Sequence, residues 1–240
     1  MTAEVNHLGQ PVGFAVDGWT PRRPPPRAAM EGRLCRLEPL DPGRHAAELF
    51  AANSEDRDGR MWTYLPSGPF ADFAAYLAAL HAAAANPERL TYAIVDGATE
   101  KALGVASYLN IEPSAGSIEV GAIAYAPRLQ RTAAATEAMY LMMRRVFDAL
   151  GYRRYEWKCN ALNAASRAAA LRLGFRFEGI FHQADVVKGR NRDTAWFSIT
   201  DAEWPALKAA FARWLDPGNF DGDGRQRLSL SELTATRPPR

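Results

Sequence analysis

The sequence predicts a mixed α/β fold with one largely antiparallel sheet flanked by helices. Apolar runs with strand and helix periodicity follow one another in the order β-α-α-β-β-β-α-β-α-β-β. Three strand-like runs, LTYAIVD, ALGVASYLNIE and GSIEVGAIAYA, are separated only by the short breaks GATEK and PSAG, the pattern of an antiparallel meander. Near the end, FRFEGIFHQADVV and TAWFSI flank the turn-forming KGRNRD and predict a closing hairpin.

The elements follow in order. Residues 20–30, TPRRPPPRAAM, are too proline-rich for a helix or a central strand, so residues 1–30 are expected to form an extended arm, ordered only where it docks. GRLCRLEPL (32–40) alternates as an opening strand. A helix follows, with Asp41 as N-cap and Pro42 at its first position. RMWTYLPSGPF (60–70) is a loop rich in aromatics and turn formers. In ADFAAYLAALHAAAAN, Phe73, Tyr76, Leu77 and Leu80 fall at helical spacing, and Asn86-Pro87 stops the helix. After the meander, a helix is expected over about 134–149, ending at Gly151. YRRYEWKCN is a strand, and NAASRAAALRLGF a helix closing on Gly174 at a left-handed cap. DAEWPALKAAFARWL (201–215) is amphipathic, and the remainder reads as a polar tail. The arrangement expected is an arm over 1–30, a domain over 31–200, and a C-terminal helix with tail over 201–240.

Composition narrows the function. The chain has 240 residues, of which 48% are apolar, and a formal charge of +2. That charge is too small for electrostatic binding of nucleic acid. No apolar run approaches the roughly 18 to 20 residues needed to span a bilayer, and the first residues lack the pattern of a secretory signal. Cys35 and Cys159 stand far apart and outside any CxxC spacing, which predicts buried thiols in a reducing compartment, no metal centre and a cytoplasmic protein.

LQRTAAATEAM (129–139) joins a strand to a helix through a tight turn. Such a junction offers unpaired main-chain N–H groups and the positive end of a helix to an anion. Glycine is needed there only where φ is positive or the backbone must come close, and alanine is the next smallest residue. Gln130, Ala133 and Ala135 fit a Q-x-x-A-x-A phosphate loop, with Arg128 and Arg131 adding charge. The same residues also fit an ordinary helix start.

Wider context favours the loop. IEVGAIAYAPRLQRTAAATEA, NAASRAAALRLGFRFEGIF and KGRNRDTAWFSI together resemble the GNAT superfamily of acyl-CoA-dependent N-acetyltransferases. The closer resemblance is to the branch containing ribosomal-protein N-terminal acetyltransferases. Thr136-Glu137-Ala138 sets the register, so that Gln130 falls on the first position of the family's loop and Ala133 on its usual glycine. The resemblance implies a sheet whose central strands splay apart at a CoA site, with acetyl-CoA held by the backbone of Arg131, Thr132, Ala133, Ala134 and Ala135. Pantetheine would lie along the strand through Ile123 to Tyr125, and Gly121 marks a candidate bulge. Asn163 matches the asparagine that contacts the pantetheine arm. Ser166 matches the hydroxyl near the sulfur, a candidate general acid. The plain reading of NAAS is an N-cap followed by a small polar residue.

Glu119, on an apolar-flanked strand, is the internal candidate for general base; its alternative is a strand carboxylate facing solvent or paired with a cation. Tyr125 and Tyr155 read as strand aromatics, and Glu178 and Asp193 as structural residues. Trp62, Tyr64 and Phe70 either wall a pocket for the amine or pack beneath their loop. Met139, Met142, Met143 and Val146 form a core stripe. NFDGDGRQRLSL resembles a calcium loop but has Leu230 where a bidentate glutamate is needed. The expected activity is acetyl transfer from acetyl-CoA to a primary amine of a small molecule or peptide, the alternative being a non-catalytic acyl-CoA sensor. The apolar stripe of residues 204–215 must be covered by its own domain or by a second copy, as in a homodimer.

Overall fold

Strand order and helix placement follow from caps and turns that can be named one by one. The computed structural model describes residues 4–236. The arm opens with a two-stranded hairpin, β1 (Glu4–Val5) and β2 (Pro11–Val12), which the sequence reading did not anticipate. Asn6 makes it: its Oδ1 accepts from the N–H groups of Leu8 and Gln10 at 2.9 and 3.0 Å. Trp19 then docks the arm on the domain, donating from Nε1 to the Ser114 carbonyl at 2.9 Å. Its ring fills the space over Gly116, where an added Cβ would lie 2.3 Å from the indole. Further along, Arg145 donates to the carbonyls of Ala28 and Ala29. The prolines remove donors from this segment, and these side chains satisfy its carbonyls.

β3 (Met30–Glu31) leads into β4 (Cys35–Pro39) and α1 (Pro42–Asn53), capped by Asp41. A 3₁₀ turn (Arg60–Trp62) precedes α2 (Phe73–Ala85), capped by Asp72. The meander is β5 (Leu90–Asp96), β6 (Ala102–Glu112) and β7 (Ser117–Tyr125). Next come α3 (Ala133–Arg144), which widens into a π-type turn over Arg145–Ala149, then β8 (Arg154–Asn160) and α4 (Ala164–Arg172). β9 (Arg176–Val187), β10 (Arg190–Thr200) and α5 (Trp204–Leu215) follow, and α6 (Leu230–Ala235) closes the described chain. The eight-stranded sheet runs β3-β4-β5-β6-β7-β8-β10-β9, and only β7 and β8 pair in parallel.

Two segments differ from expectation. The closing hairpin turns at Lys188-Gly189 alone rather than over 188–193, because both residues take left-handed backbone (φ 50° and 71°), the geometry of a two-residue hairpin turn. The tail is not all irregular: Ser229 and Glu232 form a reciprocal capping box that starts α6, and Leu230 is fully buried.

One face of the sheet carries α3 and α5, with Met139, Met142, Met143 and Val146 buried in its core. Phe147 and Tyr140 stack on Trp204, and Tyr140 also stacks on Phe211, so α5 buries its stripe against its own domain. The other face packs α1 and α2 over Ala93, Val95 and Ala102. The two cysteines are free and buried, and no helix among the described residues is long and apolar enough to cross a membrane.

Candidate active site

The sheet comes apart between its two parallel strands. β7 pairs with β8 only from Ser117↔Arg154 to Val120↔Trp157; beyond Val120 the edge of β7 facing β8 has no strand partner. A bulge drives the divergence: from Gly121 to Ala124 β7 takes three steps while β6 takes two, from Ser107 to Val105. The left-handed residue is Ala122 (φ 48°), next to the glycine that marks the bulge in sequence. Gly121 is small for space: an added Cβ would lie 2.6 Å from the Leu109 side chain. A cavity of roughly 1860 Å³ opens at this break, bordered by Ile123 and Tyr125 on the free edge of β7.

At one end of the cavity lies the loop before α3. Thr132 caps the helix, its hydroxyl accepting from Ala135 N–H at 3.1 Å and donating to the Leu129 carbonyl at 2.8 Å. The Thr132 N–H reaches the Leu129 carbonyl at 3.4 Å. Within the described residues the N–H groups of Arg131, Ala133 and Ala134 make no hydrogen bond. The residue with positive φ is Arg131 (62°), not Ala133, which already sits in the helix. Alanine at the usual glycine position therefore meets no backbone penalty. Gln130 does not point at a phosphate; its Nε2 donates to the Tyr125 carbonyl at 2.8 Å and ties the loop to the strand end. Ala134 is buried and does not line the cavity, and its N–H, at the second helical position, is unpaired among the described residues. Glu137 serves structure: it accepts from the N–H groups of Arg33, Leu34 and Cys35 and anchors the start of β4 to α3.

Asn163 caps α4 through Ser166 N–H at 3.0 Å, so the capping role is realised, and both residues border the cavity. The Trp157 indole donates to Ser166 Oγ at 3.0 Å. Because an indole only donates, the bond from Trp157 leaves the Ser166 proton for another acceptor, of which the Cys159 sulfur is one. Burial pushes the neighbouring Cys159 thiol up, against a hydrogen bond with Ser166.

Across the gap stands Glu119, 5% exposed. Its Oε2 accepts from Asn110 Nδ2 at 2.6 Å and pairs with Lys158 Nζ at 2.9 Å, leaving Oε1 without a donor among the described residues. Asn110 reaches it from a second bulge, in β6, with a left-handed φ of 44°. Burial acts against the Lys158 charge, but Glu119 and Glu156 outweigh it and raise its pKa. Lys158 also lies 3.9 Å from the centre of the Trp196 ring.

Tyr64 borders the cavity mouth and donates to the Leu162 carbonyl at 3.2 Å. Trp62 and Phe70 do not. They pack edge to face at 5.3 Å in the α1–α2 core, and Trp62 presses on Gly68, where a Cβ would lie 2.4 Å from its ring. The expectation of Trp62 as a substrate wall is therefore corrected: an indole this buried is scaffold beneath the loop. Tyr155 is likewise wholly buried among Tyr108, Phe147 and Phe175. Glu178 forms a bidentate pair with Arg154, and Asp193 holds His182 and Asn191 within the hairpin.

Sequence reasoning missed Lys158, Asn110 and Arg89, and also the tail, whose Phe220 and Gln226 border the cavity together with Trp214 of α5. Only SLSE, the capping box, signalled order in the tail.

Comparison with known proteins agrees with this geometry. The acetyltransferase (GNAT) domain family matches residues 34–176. Among solved structures, a GCN5-related N-acetyltransferase from Brucella melitensis is 49% identical over 92% of this chain and all of its own, with a TM-score of 0.90. A "probable" GNAT-family acetyltransferase from Chromobacterium violaceum ATCC 12472 is 42% identical over 82% of this chain and 98% of its own (TM-score 0.76). The microcin C7 self-immunity acetyltransferase MccE, solved with acetyl-CoA and AMP, shares the fold at 20% identity over 70% of this chain and 93% of its own (TM-score 0.62). No curated protein sequence matches the chain. The split parallel pair, the helix-opening loop and these likenesses lead to one assignment: the chain belongs to the GNAT family of acetyltransferases.

Proposed function

We propose that this acetyltransferase moves an acetyl group from acetyl-CoA to the primary amine of a small molecule or peptide, at the gap between β7 and β8. The observation that carries the reading is the loop: three unpaired main-chain N–H groups at the start of a 12-residue helix, with the Arg131 side chain beside them, fit a diphosphate. The unpaired edge of β7 from Ile123 to Tyr125 fits the amides of a pantetheine arm by strand addition. Acetyl-CoA supplies an acetyl group activated as a thioester.

The chain's own residues supply proton handling and placement. Glu119 Oε1 takes the proton from the attacking amine, while Lys158 and Asn110 hold Oε2 and orient the carboxylate. Ser166, steadied by Trp157, gives its proton to the departing sulfur. Asn163 holds the helix end that presents Ser166. The sensor alternative leaned on the missing loop glycine, and Ala133 sits where glycine is not required. Two free, buried thiols support a reducing, cytoplasmic setting.

The test is release of CoA thiol from acetyl-CoA across an amine panel. Ser166→Ala is expected to lower turnover about ten- to a thousandfold with CoA affinity little changed. CoA binding without turnover of any amine would favour the sensor.

A further inference from the structure

Two arginines that line the cavity, Arg89 and Arg192, have an Nε shielded from solvent and without a partner among the described residues, and the acetyl-transfer reading uses neither. Arg89 precedes β5, is half-buried, and lines the cavity. Its Nε is shielded from solvent and has no hydrogen-bond partner, and no carboxylate pairs with it among the described residues. Burial lowers its pKa. The four carboxylates that line the cavity are all engaged elsewhere: Glu55 by Arg128, Asp56 by the Met61 N–H, Asp58 by Arg60, and Glu119 by Lys158. A guanidinium kept from water without a counter-charge is costly unless a ligand provides one.

Strand register says which ligand. Leu90 pairs with Tyr108 and Leu109 with Glu119, so Arg89 flanks Leu109 at the level of Glu119. Side chains alternate along a strand, so Arg89 shares a face with Thr91, whose hydroxyl bonds Ser107 at 2.8 Å, two residues before Leu109 on β6. Arg89 and Glu119 therefore look into the same end of the cavity. The loop end is distant: Tyr125 pairs with Gly104 and Gly104 with Ile94, five residues along β5 from Arg89, roughly 17 Å at 3.3 Å per residue. Arg131 and Arg172 lie at that far end, Arg131 in the loop itself and Arg172 bonded to Thr136, whereas Arg192 lies by Cys159 across the gap. Arg89 stands at the amine end.

We propose, on the basis of the acetyl-transfer reading above, that the acceptor amine also carries an anionic group, a carboxylate or a phosphate, which Arg89 receives while Glu119 faces the amino group. The guanidinium fork suits either oxyanion, and Leu109 and Leu65 give the ligand's body an apolar surface between them.

The experiment uses the full chain and matched amines: each of the standard L-amino acids against its primary amide, and O-phosphoethanolamine against ethanolamine. CoA thiol release is measured with acetyl-CoA. At least one anionic member should exceed its neutral partner in kcat/KM by about tenfold or more, and the arm in which it does so separates carboxylate from phosphate. Arg89→Gln should collapse that preference about tenfold, mainly through KM, and Arg89→Lys should keep part of it. Neutral members performing as well as anionic ones in every pair would overturn the proposal. So would Arg89→Gln lowering both members of the preferred pair by the same factor. The same pairs titrated calorimetrically into CoA-loaded protein read the preference without turnover: an anionic preference there with no thiol release sinks acetyl transfer and keeps Arg89, whereas turnover without the preference does the reverse.

Discussion

At the loop end of the cavity, the groups offered to a ligand are main-chain N–H groups of Arg131, Ala133 and Ala134, whereas at the other end they are side chains, those of Glu119, Lys158 and Arg89. The difference governs what each end tolerates. Main-chain donors depend on the path of the backbone, so alanine can stand where the family places glycine as long as φ is helical there. Side-chain donors depend on identity, and at that end one residue decides which amine fits. The loop end should therefore be conservative in ligand and lax in sequence, and the amine end the opposite.

The largest expected effect on CoA affinity breaks the loop end by filling it. Ala133→Asp puts bulk and negative charge against the free N–H groups and should weaken CoA binding at least about a hundredfold, near 2.7 kcal/mol; titration calorimetry reads it. Ala133→Gly, which alters neither path nor charge, should change affinity by less than about threefold. Equal effects from both would mean that main-chain geometry is not what binds.

At the amine end, Glu119→Gln should lower turnover about a hundred- to ten-thousandfold, with CoA affinity kept. A variant that keeps wild-type turnover would move the base elsewhere.

The contrast also bears on what was legible in the sequence. The loop was, because its residues are contiguous and Thr136-Glu137-Ala138 fixes their register. Strand and helix order was too, since turn residues separate the apolar runs. Of the amine end only Glu119 was: Arg89 lies just before β5 and Asn110 and Lys158 lie on β6 and β8, and only the register of β5 through β8 brings them to Glu119. The pairing of Glu119 with Lys158 depends on a parallel contact that no local pattern encodes. Trp62 was ambiguous because a large aromatic suits a pocket wall and a core equally, and its burial against Gly68 decides it. The tail was underread, with Ser229 and Glu232 passed over as polar residues when they form a capping box.

A smaller effect separates the tail's two contributions. Ending the chain after Leu215 should leave a cooperatively folding protein, because α5 retains its stacking on Tyr140 and Phe147. It also removes Phe220 and Gln226 from the cavity border and should weaken CoA by about tenfold. Ending it before Trp204 should instead expose the α3 face and cause aggregation.

The smallest effect concerns α5. Burial alone would raise the Asp148 pKa, but hydrogen bonds from Lys208 and Trp204 outweigh it and hold the carboxyl below its ordinary range. A lowered folded pKa contributes stability above the unfolded value, about 3.9 for aspartate, and loses it as pH falls through the folded value. Asp148→Asn should therefore cost about 0.5–1 kcal/mol at neutral pH, the pair being partly exposed, and the difference from wild type should vanish in acid. Denaturant unfolding at both pH values checks it.

The account's central claim is that main-chain N–H groups of the helix-opening loop hold the diphosphate of CoA. Following the amide resonances of the folded protein by NMR during a CoA titration tests it directly. The account predicts that Arg131, Ala133 and Ala134 shift and become protected from exchange at the binding midpoint, while the Ala135 amide, already bonded to Thr132, moves least within the loop. Saturating CoA that leaves the Arg131, Ala133 and Ala134 amides unshifted and freely exchanging would contradict it.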